Sequence, residues 1–231
     1  MLTKATIKEL EIAVALYRKG HYGDAKTVLT DALKESTRAD ALVSLTNNLA
    51  MVEGEEGNYV EALKLYLEVA PLIDSCENDF NRANFHFGLA RTYRQVASNE
   101  GLHNFYDRSL IEYEAARYYF ELSGRRERIW CVENNIAFLQ MKLNRMDEAH
   151  AHIEKARAIL IEYGAKQERL AEVADSLALI YLAEGKAEDA FFASADAVQK
   201  MRGSDEIALK ANILETHLKA TEAYLSETKV L

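Results

Sequence analysis

The stretch LALIYLAEGKAEDA, Leu177–Ala190, decides how this chain folds. It opens on an apolar residue followed by alanine, breaks at Gly185, and reaches a second alanine, Ala190, twelve residues after Ala178. The same interval separates Ala13 from Ala25, Ala50 from Ala62 and Ala137 from Ala149, each first alanine again preceded by Ile12, Leu49 or Ile136. Seven residues beyond the second alanines stand Ala32, Val69, Ala156 and Ala197. Small side chains at fixed intervals are what two antiparallel helices need where they cross closely. Between the alanines lie Gly20-His21-Tyr22-Gly23, Gly57-Asn58-Tyr59, Asn144-Arg145-Met146 and Gly185-Lys186-Ala187. Each supplies a glycine or asparagine able to take the left-handed conformation that closes a helix, so the repeated unit is a helix hairpin.

Leu177-Ala178-x-x-Tyr181 followed by Gly185 and Ala190 resembles the tetratricopeptide pattern, and Leu89-Ala90-x-x-Tyr93 repeats its first half. Other units depart from the pattern. Leu16, Glu53 and Gln140 replace the tyrosine, the aromatic after the second alanine survives as Tyr66 while Leu29, Ile153 and Ser194 fill its place elsewhere, and the closing proline is present only as a displaced Pro71. Successive first alanines, counting Ala90, are 37, 40, 47 and 41 residues apart, against about 34 in the standard repeat. That length resembles the longer-repeat branch of the family, seen in kinesin light chains, Rap-like phosphatases and signal-sensing activators. The resemblance implies an all-α, right-handed superhelical solenoid and a protein that binds another protein or a peptide.

The expected organisation is one domain, 1–231, with hairpins at about 5–35, 39–74, 78–123, 125–163 and 165–202. Ser204-Asp205-Glu206 then starts a capping helix at about 205–226. The third unit is the longest. Its extra residues fit two added half-turns better than a loop, because Ser98-Asn99-Glu100-Gly101 is the one breaker cluster there. The unit also concentrates aromatics, Phe85, Phe87, Tyr93, Phe105, Tyr106, Tyr113, Tyr118, Tyr119 and Phe120, which either fill the added core or anchor a partner.

Composition fits this reading and narrows the function classes. The 231 residues are 49% hydrophobic with a single proline, enough to bury a core and few helix breakers. With 28 Lys+Arg against 37 Asp+Glu, a formal charge of -9 disfavours phosphate backbones and anionic membranes, so neither nucleic acid nor membrane is expected as a partner. The N-terminal MLTKATIKELEIAVALYRKG lacks the apolar run of a secretory signal, and a cytoplasmic location is expected. Cys76 and Cys131 read as two free thiols.

Enzyme signatures such as a glycine-rich phosphate loop, GxSxG or HExxH are missing, so no catalytic role, cofactor or metal is expected. His150-x-His152 points its two rings apart around a helix and cannot share one ion. Two residues before the first alanines the chain reads Asn48, Gly88, Asn135 and Ser176. Asparagine is a mediocre helix former that wants partners. In longer-repeat relatives such asparagines line the concave groove and grip a peptide backbone, which implies that role for Asn48 and Asn135. The alternative is that they bond between neighbouring hairpins and stabilise the stack.

Helical spacing places Arg91 and Arg94 on or near the same inner face, with Asn84 two turns before and Lys142 on the next unit; Phe138 is counted with them. Such cations would select an acidic ligand, or are ordinary surface charges. Three functions are carried forward: a peptide-binding adaptor, a sensor that switches a separate effector, and a scaffold that self-assembles through the solenoid ends.

Overall fold

The computed structural model describes residues 2–228. These contain α-helices, short 3-10 turns and no strand. The chain forms two compact units that divide between Arg126 and Glu127. The first holds α1 (Lys4–Arg18), α2 (Tyr22–Glu35), α3 (Ala39–Glu55), α4 (Tyr59–Val69), α5 (Asp79–Glu100) and α6 (Phe105–Leu122). The second holds α7 (Ile129–Lys142), α8 (Met146–Glu162), α9 (Gln167–Glu184), α10 (Ala187–Lys200) and α11 (Ile207–Thr228). Consecutive helices pair as antiparallel hairpins, α1 with α2 through α9 with α10.

The aligned small residues are the crossing points. All twelve, from Ala13 to Ala197, are at most 5% exposed, and Ala90 is fully buried in α5. A larger side chain at any of them would push two helix backbones apart. The turn positions Gly20, Gly57, Asn144 and Gly185 all have positive φ, +76°, +84°, +58° and +75°. Asn144 is the one non-glycine so placed among the described residues. Its short amide makes the left-handed region tolerable where a larger side chain would be strained.

The long third hairpin extends through its helices. α5 has 22 residues and α6 has 18, and Ser98–Glu100 stay helical until Gly101 closes the helix at φ +68°. Aromatic rings occupy the extra length. Tyr113 and Phe120 are fully buried, Tyr93 stacks on Phe105 at 5.4 Å, and Phe87 meets Tyr113 edge-on at 5.7 Å. Tyr118 alone of this set is largely exposed. Pro71 cuts the second hairpin short: α4 ends at Val69 and the chain continues as a 3-10 turn, Ala70–Ser75, since proline offers no amide to extend the α-helical ladder. Ser204 accepts the Glu206 amide at 3.2 Å ahead of α11.

In each unit the first helices of successive hairpins also pack side by side. α3 touches α1 and α5, and α9 touches α7 and α11. This layering carries one side chain per turn from each first helix onto a shared face. No described helix is long and apolar enough to cross a membrane.

Candidate binding faces on the first helices

In the first unit the face of α1, α3 and α5 carries a line of interacting polar groups. Tyr17 on α1 donates its hydroxyl to Glu55 on α3, and burial followed by that carboxylate pushes the phenol up to about 12. Glu55 in turn faces Arg91 on α5, with Oε1 3.6 Å from Nη2. The line therefore joins three consecutive first helices. Beside it, Tyr17, Leu29, Asn48 and Met51 line a pocket of 170 Å³.

Asn48 donates its side-chain amide to the Ser44 carbonyl at 2.8 Å, Asn84 to the Phe80 carbonyl at 2.8 Å, and in the second unit Asn135 to the Cys131 carbonyl at 2.7 Å. Each bond returns to the residue four earlier on the same helix, none to a neighbouring hairpin. The Nδ2 group of each half-buried asparagine is thus engaged locally, and Oδ1, an acceptor, is the atom left without a bond of this kind.

The structure brings Asn48, Asn84 and Arg91 onto adjacent helices of the first unit. Arg94 takes a different route. It is half-buried, and its guanidinium reaches the Tyr113 hydroxyl on α6, so it is tied into the α5–α6 hairpin rather than offered alongside Arg91; burial lowers its pKa.

The second unit brings together Asn135, Phe138 and Lys142 along α7, with the Lys142 ammonium 5.2 Å from the Phe138 ring centroid. Neighbouring α9 is acidic. Burial raises the Glu172 carboxyl, which Arg169 opposes, and raises Asp175 to about 6 despite a hydrogen bond from Thr216. Burial also pushes the half-buried Cys131 thiol up to about 11, with nearby Glu172 adding to the shift.

Two features of these faces escape a residue-by-residue reading. One is the Tyr17–Glu55–Arg91 line. The other is a lock in the first unit, where the Tyr66 hydroxyl donates to Asn47 Oδ1 at 2.9 Å and both sit against Gly88. The signal for the second was present in the column Asn48, Gly88, Asn135, Ser176, where glycine stands alone. In the second unit the residue matching Tyr66 is Ile153, and the buried Oδ1 of Asn134, the counterpart of Asn47, has no protein donor.

His150 and His152 point to separate glutamates, Nε2 to Glu184 at 2.9 Å and Nδ1 to Glu133 at 2.6 Å. No group of three or more metal-binding side chains occurs among the described residues.

No family model and no curated protein matches this sequence. Solved structures do match in fold. A thermophilic TPR protein of Thermus thermophilus superposes with a TM-score of 0.69 at 19% identity, over 95% of this chain and 99% of that one. BtubC (BKLC) from P. vanneervenii matches at 0.64 and 17%, over 96% of this chain and 85% of that one. NprR in complex with its cognate peptide NprX matches at 0.63 and 16%, over 96% of this chain and 66% of that one.

Proposed function

Taking the chain as one of tetratricopeptide-repeat fold, we propose that it is a protein-interaction module that holds a peptide or helical segment of a partner protein on the faces of its first helices. The observation that carries this reading is the repeated asparagine geometry: Asn48, Asn84 and Asn135 each spend Nδ2 on the carbonyl four residues earlier on their own helix, which leaves the amide oxygen as the acceptor each has to offer a ligand. Acceptors on neighbouring first helices, as Asn48 on α3 and Asn84 on α5 are in the first unit, suit the N–H groups of a peptide backbone. Fixing them on packed helices lowers the ordering entropy that binding must overcome. The NprR structure, a complex of the same fold with a peptide, supports the class of ligand.

Within this reading the ligand of the first unit is acidic, because Arg91 is the cation beside Asn48 and Asn84. Its carboxylates compete with Glu55, which stands 3.6 Å from Arg91 in the free protein. At that separation the ion pair is loose, and at a part-exposed site it is worth about 0–1 kcal/mol, so exchange for a better-placed carboxylate is accessible.

The test is selection from a random peptide display library on the wild-type chain, with counter-selection on an Asn48→Ala/Asn135→Ala/Arg91→Ala variant of matched thermal stability. Peptides rich in Asp and Glu that bind only the wild type are the expected result. Equal enrichment on both proteins would remove these faces from the binding site.

A further inference from the structure

α11 occupies the position of a first helix. It packs on α9 and α10 much as α9 packs on α7 and α8. Its buried side is Ile213, Thr216 and Ala220.

The side turned away from the body is apolar. Ile207 is 82% exposed, Leu214 54%, Leu218 59% and Leu225 49%. With Ala211 and Thr221 these residues follow the alternating three-and-four spacing of a coiled-coil seam over three heptads. A helix that merely capped a repeat array would need a polar outer face to stay in solution. This one has the opposite pattern, with its seam on the far side from its packing face.

We infer that α11 pairs with α11 of a second copy of this chain, parallel and in register, along the seam from Ile207 to Leu225. The flanking charged and polar groups select that occupant and that orientation. Glu215 and Glu222 border the seam on one side, Lys210 and His217 on the other. In a parallel pair Lys210 of each copy faces Glu215 of the other, and His217 faces Glu222, each contact made twice by symmetry. An antiparallel pair at full overlap sets Glu215 of one copy against Glu215 of the other, like against like. Within one copy Lys210 donates to the Ser204 carbonyl, Glu215 accepts from Lys219 at 2.6 Å, and His217 keeps Nδ1 2.8 Å from the Ser194 hydroxyl with its ring beside Phe191, so pairing exchanges the Lys210 and Glu215 contacts and leaves His217 Nε2 to meet Glu222. A seam of 19 residues is short, roughly 28 Å long, so the pair dissociates on dilution.

The experiment is sedimentation of the full chain across a dilution series, with Leu214→Glu/Leu218→Glu beside it. The wild type should pass from twice its 26.1 kDa mass to the monomer. The variant should need at least tenfold more protein to associate, about one decade being the least that burying two leucines contributes. Circular dichroism of the variant reads folding separately, and both substitutions fall on exposed positions. Orientation is read by Leu225→Cys: a parallel pair brings the two introduced thiols together and yields a covalent dimer on mild oxidation, whereas the wild type with Cys76 and Cys131 does not. A wild type that stays monomeric, a dimer indifferent to Leu214→Glu/Leu218→Glu, or Leu225→Cys that fails to cross-link overturns the inference. So does a monomer whose α11 instead captures a different protein.

Discussion

Gly88→Ala tests how tightly the first unit is built. A β-carbon at this position would lie 1.9 Å from the Tyr66 hydroxyl oxygen and 2.7 Å from both Asn47 Oδ1 and the Tyr66 ring. Restoring ordinary contact requires Tyr66 to retreat by about 1.5 Å. Yet Tyr66 is 1% exposed and packed edge-on against Phe85 at 5.6 Å. Overpacking of this kind costs about 1–3 kcal/mol, and losing the Tyr66–Asn47 hydrogen bond with the hydroxyl left buried costs about 1–3 more. Replacing a mid-helix glycine returns about 1 kcal/mol of helix propensity. The net expectation is a loss of about 3 kcal/mol, seen as a lower urea midpoint by circular dichroism. Gly54→Ala on α3 is the matched control, because its β-carbon would meet only Gln95 Oε1 at 3.7 Å, and it should gain about 0.5–1 kcal/mol. In a Tyr66→Phe background the closest clash disappears, and Gly88→Ala should cost about 1–2 kcal/mol less than in the wild type. If Gly88→Ala proves as stable as Gly54→Ala, the lock does not exist.

Asn144→Ala forces a β-branch-free but still unsuited side chain into φ +58° and should cost about 1 kcal/mol in urea denaturation, while Asn144→Gly stays within a few tenths of the wild type. Asp175 gives a pH signature. Its folded carboxyl, raised to about 6 from 3.8 by burial, disfavours the charged form, so its effect is a penalty above pH 6 that is relieved as pH falls toward 4. Asp175→Asn should therefore add about 1–2 kcal/mol at pH 7.5 and little at pH 4.5, read as the difference between melts at the two values. A pH-independent effect would show that the carboxyl titrates normally. Glu55→Gln should lower the Tyr17 ionisation from about 12 toward the ordinary phenol range, since one of the two leading causes of its rise is removed; ultraviolet titration against Tyr17→Phe isolates the signal.

The fold was legible because its determinants are local and periodic. Twelve small residues at two fixed intervals announce helix crossings, and all twelve are buried at those crossings. The closing positions Gly20, Gly57, Asn144 and Gly185 were equally readable, since left-handed backbone is available cheaply only to such residues. The binding faces were legible only in part, for a physical reason. Helical spacing gives the direction in which a side chain leaves its helix but not which neighbour it meets there. Arg91 and Arg94 lie three residues apart and read alike, yet one finds Glu55 across the first-helix layer and the other finds Tyr113 inside its own hairpin.

The same limit explains Asn47 and Asn134, which occupy one column of the repeat and begin nearly identical words. What separates them is a residue nineteen positions on, Tyr66 in one unit and Ile153 in the other. With the tyrosine, the amide oxygen is bonded and a glycine is required on the next helix to make room. With the isoleucine, the oxygen of Asn134 is buried without a protein donor. A buried acceptor left in that state costs about 1–3 kcal/mol. Removing it by substitution should recover part of that: Asn134→Leu, which deletes the buried polar atom, should stabilise the second unit, whereas Asn47→Leu should destabilise the first by stranding the Tyr66 hydroxyl. Opposite signs from one substitution at two aligned positions, measured by urea denaturation, are the expected outcome. Equal signs would mean that the repeat column, rather than the partner across the hairpin, governs what an inner asparagine is worth.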